Sequence, residues 1–413
     1  MASSEYEVVI VGGGAAGIGA ARRLHDAGVN YLLVEARPRL GGRAYTFIDR
    51  SGFPLDHGCG WLHSADRNPW TAIAAAQGKA IDKTRPPWER PGPEHLFSAD
   101  QHREFWAALR DLFKAAERAA REGPDRALSD LLPPAGRWNA ALNAASTYIN
   151  GVELDRVSIY DTDRYDDTGV NWRVVEGYGA AIAAHAADLN VVLDCPVTRI
   201  DHGGARVRVE TGRGAILAGQ VIVTLPSSLI ENENLFSPVL PVKIAAARGL
   251  PLGLADKLFL SLERPEEFEA DVRIFGRTDR AGTGTYHFRP FGRPMIEAYY
   301  GGRCAEALEA GGERGFMDFA IEELTGVFGS DFAHRVSLIH VHRWRADPFA
   351  RGSYSCALPG HSDDHAVLAA PVDDRLFFAG EACSPVDFST AHGALATGIA
   401  AAGHALELRR ERV

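Results

Sequence analysis

The sequence predicts an α/β protein in which a parallel-sheet nucleotide domain, left and re-entered along the chain, is interleaved with an α+β domain. Three observations carry this. The run Val8-Val9-Ile10-Val11-Gly12-Gly13-Gly14-Ala15-Ala16-Gly17 reads as a buried strand, a glycine turn and a helix start. A second apolar strand, Tyr31-Leu32-Leu33-Val34, closes on an acid, Glu35. Short apolar strands then recur much later, at Val191-Val192-Leu193, Val207 to Val209, Val221 to Leu225 and Arg375 to Glu381.

The first unit reads as a Rossmann-like dinucleotide site because strand, turn, helix, second strand and acid occur together. Gly12 permits the tight turn, Gly14 lets the backbone approach a pyrophosphate, and Gly17 lets the helix pack close to the strand. The helix start at Ala15 and Ala16 offers free N–H groups and a partial positive charge to phosphates. Glu35 stands eighteen residues after Gly17 and can accept hydrogen bonds from both ribose hydroxyls. The competing reading is an ordinary glycine-rich turn between strand and helix.

At 413 residues the chain is long for one compact domain, so two domains sharing an interface are expected. A formal charge of −10 lacks the basic face that nucleic acid requires. The five cysteines, at positions 59, 195, 304, 356 and 383, form no CxxC pair and suit a reducing cytosol, hence a cytoplasmic protein. Met1 to Glu5 has neither the basic nor the apolar region of a signal peptide. Ser389 to Leu406 carries no Asp, Glu, Lys or Arg, but its Ala and Gly content gains little from lipid. It reads as a helix packed closely on backbone or cofactor, not as a membrane span.

The first helix is expected over Ala15 to Ala27, ended by Gly28. Thr71 to about Asn150 is helical in pattern, with Phe105, Leu109, Leu112, Phe113 and Ala116 on one face. Leu258 to Leu262 and Met295 to Tyr300 read as strands of a second sheet, and Cys304 to Phe328 as a helix. The nucleotide domain is therefore expected in residues 1–75, 185–250 and 340–413, and the second domain in 76–184 and 251–339. A chain that leaves and returns twice builds its site at the domain junction.

The motifs are similar, in chain order, to those of the flavin-containing amine oxidases. Gly12 to Gly17, Glu35-Ala36-Arg37 and Gly41-Gly42-Arg43-Ala44-Tyr45-Thr46 resemble the family's opening region. Leu55-Asp56-His57-Gly58-Cys59-Gly60-Trp61-Leu62-His63 resembles the stretch beside its flavin, and Ala255-Asp256-Lys257-Leu258 its lysine strand. Trp344 with Asp347-Pro348-Phe349-Ala350-Arg351-Gly352-Ser353-Tyr354-Ser355 resembles the polyamine-oxidase branch. Phe377-Phe378-Ala379-Gly380-Glu381 with Ser389-Thr390-Ala391-His392-Gly393-Ala394 resembles the closing flavin motif. The resemblance implies a GR2-type, Rossmann-like FAD-binding domain and an α+β substrate-binding domain.

It also implies roles. Arg43 would bind pyrophosphate through its guanidinium fork. Val197, in Pro196-Val197-Thr198, would lie at the adenine end, and Glu381 at the ribityl or pyrophosphate region. Ala36, Arg37, Gly42, Gly60, Gly380, Ser389 and Thr390 complete the cofactor contacts. Lys257, a lysine in an apolar strand and costly to bury without acceptors, would hold a water at flavin N5. Trp344 and Tyr354 would form an aromatic wall near the flavin and substrate amine, with Trp61, His63, Phe388 and Thr390 around the pocket. His57 and His63 have no third ligand at matching spacing, so no metal is expected. Asn171-Trp172-Arg173 and Glu176-Gly177-Tyr178-Gly179 read as structural.

Two departures stand out. Ser353 occupies the place where monoamine oxidases bond a cysteine to flavin, so the FAD is expected to be non-covalent, with Cys356 a poor substitute. Thr390 replaces a second aromatic facing Tyr354, for which Phe388 is the candidate compensation. The expected reaction is oxidation of a small amine by O2, without membrane or nucleic-acid partners and with a homodimer left open. A desaturase or dehydrogenase using another acceptor, an L-amino-acid oxidase and a non-catalytic FAD scaffold are the competing readings. An amino-acid substrate would need a carboxylate-binding arginine, and no motif places one.

Overall fold

The strand Ser4–Val11 lies parallel between Gly214–Val223 and Tyr31–Val34 in an eight-stranded sheet. The structure, a computed structural model, describes residues 4–90, 92–93 and 96–410. The strand order is Phe236–Ser237, Val197–Asp201, Val207–Thr211, Gly214–Val223, Ser4–Val11, Tyr31–Val34 and Val191–Val192. The long strand Gly214–Val223 pairs antiparallel with Val207–Thr211 through its first half and parallel with Leu376–Phe378 through its second. Both faces of the sheet are covered, which is why Val8 to Val11 is an unbroken apolar run. Val9 and Val11 pack towards Ala246, Leu250 and Leu368, whereas Val8 and Ile10 pack towards Leu24, Ala402 and Ala405.

The first helix runs Ala15–Asp26, and its glycines set its position. Gly12 has φ +108°, a conformation that other residues rarely adopt. A Cβ on Gly17 would lie 1.9 Å from the Gly12 carbonyl oxygen. The uncharged stretch near the C-terminus forms the helix Ala391–Arg410, packed against the first helix. A Cβ on Gly398 would come within 2.0 Å of the Ala16 carbonyl oxygen. The small residues are there to let two backbones touch. No helix among the described residues is long and apolar enough to cross a membrane.

The second sheet is antiparallel, in the order Val272–Phe275, Thr285–Phe288, Met295–Gly301, Ala255–Leu262 and Val336–Val341. Its back face (Leu258, Leu260, Tyr286, Ile296, Ala298) is buried against Phe316, Ala320 and Leu324. The expected helix over Cys304 to Phe328 is in fact two, Gly302–Ala310 and Gly312–Phe328. The break falls at Gly311-Gly312, where Gly312 takes φ +65°. Above the front face lie the helices Ala99–Glu122 and Asn139–Ile149. Phe105, Leu109, Leu112 and Ala116 are buried as expected, but Phe113 is 39% exposed. It lines the cavity described below instead of the helix core.

Gly398→Val should destabilise the protein by about 1–3 kcal/mol, because the two helices cannot separate without losing their core. Gly403 sits on the same helix with nothing near its Cβ position. Gly403→Ala should therefore stabilise by about 0.5–1 kcal/mol. Urea midpoints of the two variants check both signs.

Candidate active site

A cavity of about 1130 Å³ runs from the glycine turn to the front face of the second sheet. Every residue singled out above for cofactor or substrate contact lines it except Gly17, which packs the helix onto the strand. At the glycine end the wall is bare backbone. Gly14 begins the first helix without a side-chain cap, so the first-turn N–H groups have no side-chain acceptor. The Gly41-Gly42 turn, with both residues at positive φ, lies against it. This donor-rich, Cβ-free cradle fits a pyrophosphate.

Glu35 is buried and accepts the Gly13 N–H at 2.7 Å and the Arg37 N–H at 2.9 Å. Those bonds fix both oxygens while leaving each a further acceptor site. The Arg37 guanidinium turns to Asp347 at 2.7 Å. Burial alone would raise the Asp347 carboxyl, but hydrogen bonds from His342 and Arg37 hold it well below the usual range. Val197 lies half-buried further along the same wall.

Arg43 donates to Glu381 at 2.8 Å and to the Ser353 carbonyl at 2.9 Å. Glu381 is buried and also accepts the Ser355 hydroxyl at 2.6 Å and the Ser389 N–H at 2.9 Å. One carboxylate therefore joins the opening turn, the segment after Trp344 and the start of the last helix. Thr390 accepts the Gly393 N–H at 2.9 Å and donates to the Asp387 carbonyl at 2.6 Å, and so begins that helix.

At the sheet end stands Lys257, 6% exposed. Its ammonium donates to the Asp56 carbonyl at 2.8 Å and pairs with Glu297 at 3.0 Å. Burial pulls the lysine pKa down, but Glu297 and Asp56 outweigh it and hold the group above the ordinary value. Burial likewise pushes Glu297 up, and Lys257 pulls it back below the ordinary carboxylate value. The pair is therefore ionised at neutral pH. A Cβ on Gly60 would stand 3.0 Å from the ammonium and crowd it.

Trp344 is 2% exposed, and its indole N–H donates to the His57 carbonyl at 3.2 Å. The Tyr354 hydroxyl donates to the Tyr148 carbonyl at 2.7 Å and lies 3.2 Å from the Tyr299 hydroxyl. Burial raises both phenols above their ordinary value, so both stay protonated. Trp61 meets Trp88 edge-on at 4.4 Å, and His63 bonds Asn171 at 2.6 Å. Phe388 stacks on His365 at 4.8 Å, so one of its faces is taken. The ring hydrogen-bonded alongside Tyr354 is Tyr299, which the motifs did not single out.

Residues 99–406 match the family described as flavin containing amine oxidoreductase. The chain belongs to that family. Residues 10–76 match an NAD(P)-binding Rossmann-like domain. The chain is 27% identical to Polyamine oxidase 4 of Oryza sativa subsp. japonica, over 97% of this chain and 88% of that one. It is 28% identical to Polyamine oxidase 2 of Arabidopsis thaliana, again over 97% and 88%. A solved putrescine oxidase, redesigned in its cofactor binding, shares the fold with a TM-score of 0.78 at 18% identity, over 98% of this chain and 100% of that one. This member of the flavin amine oxidoreductases is thus an FAD-dependent enzyme acting on amines.

Among the lining residues that escaped the motif reading are Tyr148, Arg273, Glu297 and Tyr299. Three lie on strands of the second sheet, at alternate positions facing the cavity. Period-two alternation along Val272–Phe275 and Met295–Gly301 was the available signal.

Glu381→Ala should cost about 3 kcal/mol, since it leaves the Arg43 charge unpaired. Glu381→Gln should recover part of this by keeping the Ser355 and Ser389 bonds. Urea unfolding, with the flavin-to-protein absorbance ratio of the same preparations, reports the effect.

Proposed function

We propose that this enzyme oxidises a primary or secondary amine, a monoamine or polyamine, with O2 as acceptor and H2O2 as product. The amine loses two electrons to become an imine, which water hydrolyses to an aldehyde. The observation that carries the reading is a buried, ion-paired lysine at one end of a cavity whose other end is a bare glycine cradle. FAD, when bound along that cavity, supplies the acceptor for a hydride from the carbon next to nitrogen.

In this reading Gly12, Gly14, Ala15, Ala16, Gly42 and Arg43 hold the pyrophosphate, while Glu35, Ala36, Arg37 and Val197 hold the adenosine part. Gly60, Trp61, Trp344, Gly380, Glu381, Ser389 and Thr390 border the ribityl chain and ring. Attachment is non-covalent. The Ser353 hydroxyl accepts the Ala255 N–H and donates to the Ala255 carbonyl, both over 2.8–2.9 Å, and so is spent on the strand. Burial pushes the Cys356 thiol up to about 12, which keeps it protonated and unreactive at neutral pH.

Lys257 acts as a fixed cation and not as a base, because it is held charged. Two of its three N–H bonds are engaged, and the third is available to orient a water. Tyr354, Tyr299 and Trp344 exclude water around the amine, and a dry wall favours its neutral form. The nitrogen lone pair then supplies the push, and no side chain need remove a proton from carbon.

The purified protein should be yellow, and acid precipitation should release the colour. Amines should bleach it without oxygen, and air should restore it with release of peroxide. A coloured protein that no amine bleaches overturns the reading. Lys257→Met should slow flavin reduction or reoxidation by about 10²-fold with FAD retained. Unchanged rates would remove Lys257 from the mechanism.

The pH profile follows from the same pair. Lys257, raised, loses its charge only above the ordinary lysine range; Glu297, lowered, gains its proton only below the ordinary carboxylate range. Neither titrates near neutrality. The rise of kcat/KM with pH should therefore track the pKa of the substrate amine, and should move when amines of different basicity are compared.

A further inference from the structure

We propose that Arg273 is an anion-binding subsite at the far end of the amine pocket, and that the substrate is an amine carrying a carboxylate several carbons from its nitrogen. This rests on the amine-oxidation reading and names its substrate class.

Arg273 lies on the strand Val272–Phe275, opposite His287, and lines the main cavity and a smaller neighbouring one of about 340 Å³. Its Nε donates to the Thr285 hydroxyl. Its guanidinium sits among aromatic rings, with Phe275 at 5.4 Å, Tyr148 at 5.8 Å and Trp88 at 5.9 Å. Among the described residues no carboxylate forms an ion pair with it, and its two terminal nitrogens have no hydrogen-bond acceptor. Burial lowers its pKa, yet a guanidinium does not deprotonate in a protein. The nearest carboxylate acting on it, Glu297, is already paired with Lys257, and an enclosed charge with no ion pair of its own is costly unless a ligand supplies one. With Nε committed, the terminal pair presents an end-on fork that matches the two oxygens of a carboxylate.

The rest of the sheet floor argues the same way. Its single carboxylate, Glu297, is engaged by Lys257. His287 is held neutral by burial and bonds Asp271, which Arg173 also pairs. A second ammonium on the substrate would thus meet Lys257 and Arg273 with no free acid between them. Lys257 and Arg273 stand three strands apart and two residues out of register, which puts their Cα atoms roughly 16 Å from each other. That span suits an acid remote from the amine and is too long for an α-amino acid. Tyr299 and Tyr148, with ring centroids 5.9 Å apart, wall the path between the two cations.

The test compares ε-aminocaproate, hexylamine and putrescine as reductants of the oxidised holoenzyme under anaerobic conditions, with calorimetry of caproate as a second readout. The wild type should prefer ε-aminocaproate by about tenfold or more over the other two, and should bind caproate. Arg273→Gln should remove that preference through KM, leave hexylamine nearly unchanged and abolish caproate binding. Arg273→Lys should keep part of the preference. Preference for putrescine, equal loss on all three amines, or equal caproate binding by wild type and variant overturns the proposal. If no amine bleaches the flavin, the oxidation reading fails, and caproate calorimetry still decides the subsite.

Discussion

The ion pair between Arg43 and Glu381 joins residues 338 positions apart, and the site depends on it. The chain leaves its nucleotide sheet to build the second sheet and then returns, so nothing local holds the two ends of the cavity in register. Glu381 does so by bonding at once to the opening turn, to Ser355 and to Ser389. A buried carboxylate with several donors is a directional joint, whereas apolar packing alone tolerates sliding. The Ser353 hydroxyl extends the joint by clamping Ala255, two residues before Lys257. The position of the lysine is thereby tied to the glycine turn through three hydrogen-bonded links.

The second sheet divides its labour by face. Its back is a mainly apolar core in which the Tyr286 hydroxyl donates to the buried Glu323 at 2.8 Å. Its front carries Lys257, Tyr299, Thr285, Glu297, His287 and Arg273 under two helices, where water is scarce and charges act over longer distances than at a surface. The charges are therefore arranged so that each is answered. Lys257 meets Glu297, and Arg173 meets Asp82 and Asp271, the latter also hydrogen-bonded to the neutral His287. Arg273 is the exception, with no ion pair of its own among the described residues.

The first unit was legible in the sequence because its glycines are required by geometry that no other residue satisfies, as Gly12 and Gly17 show. Lys257 was legible as a lone cation in an apolar strand, and the last helix as a run too rich in Ala and Gly for lipid. The break at Gly311-Gly312 was not read, since a glycine pair in a helical pattern is tolerated as often as it breaks the helix. The front-face row was missed for another reason. Polar residues alternating with apolar ones in an antiparallel strand ordinarily mark a solvated face. Arg273, His287 and Glu297 fit that pattern until the helices Ala99–Glu122 and Asn139–Ile149 are seen to cover them.

The same covering explains why the chemistry needs no strong base. Under those helices the phenols of Tyr354 and Tyr299 stay protonated and Lys257 stays charged, so none of these three can accept a proton at neutral pH. Glu297 is ionised, but its pairing with Lys257 lowers its pKa and so weakens it as a base, and protonating it would leave Lys257 unpaired. The groups that face the amine can orient it, dry it and fix the charge around it. Removal of hydrogen as hydride, driven from the nitrogen lone pair as proposed above, asks none of them to act as a base.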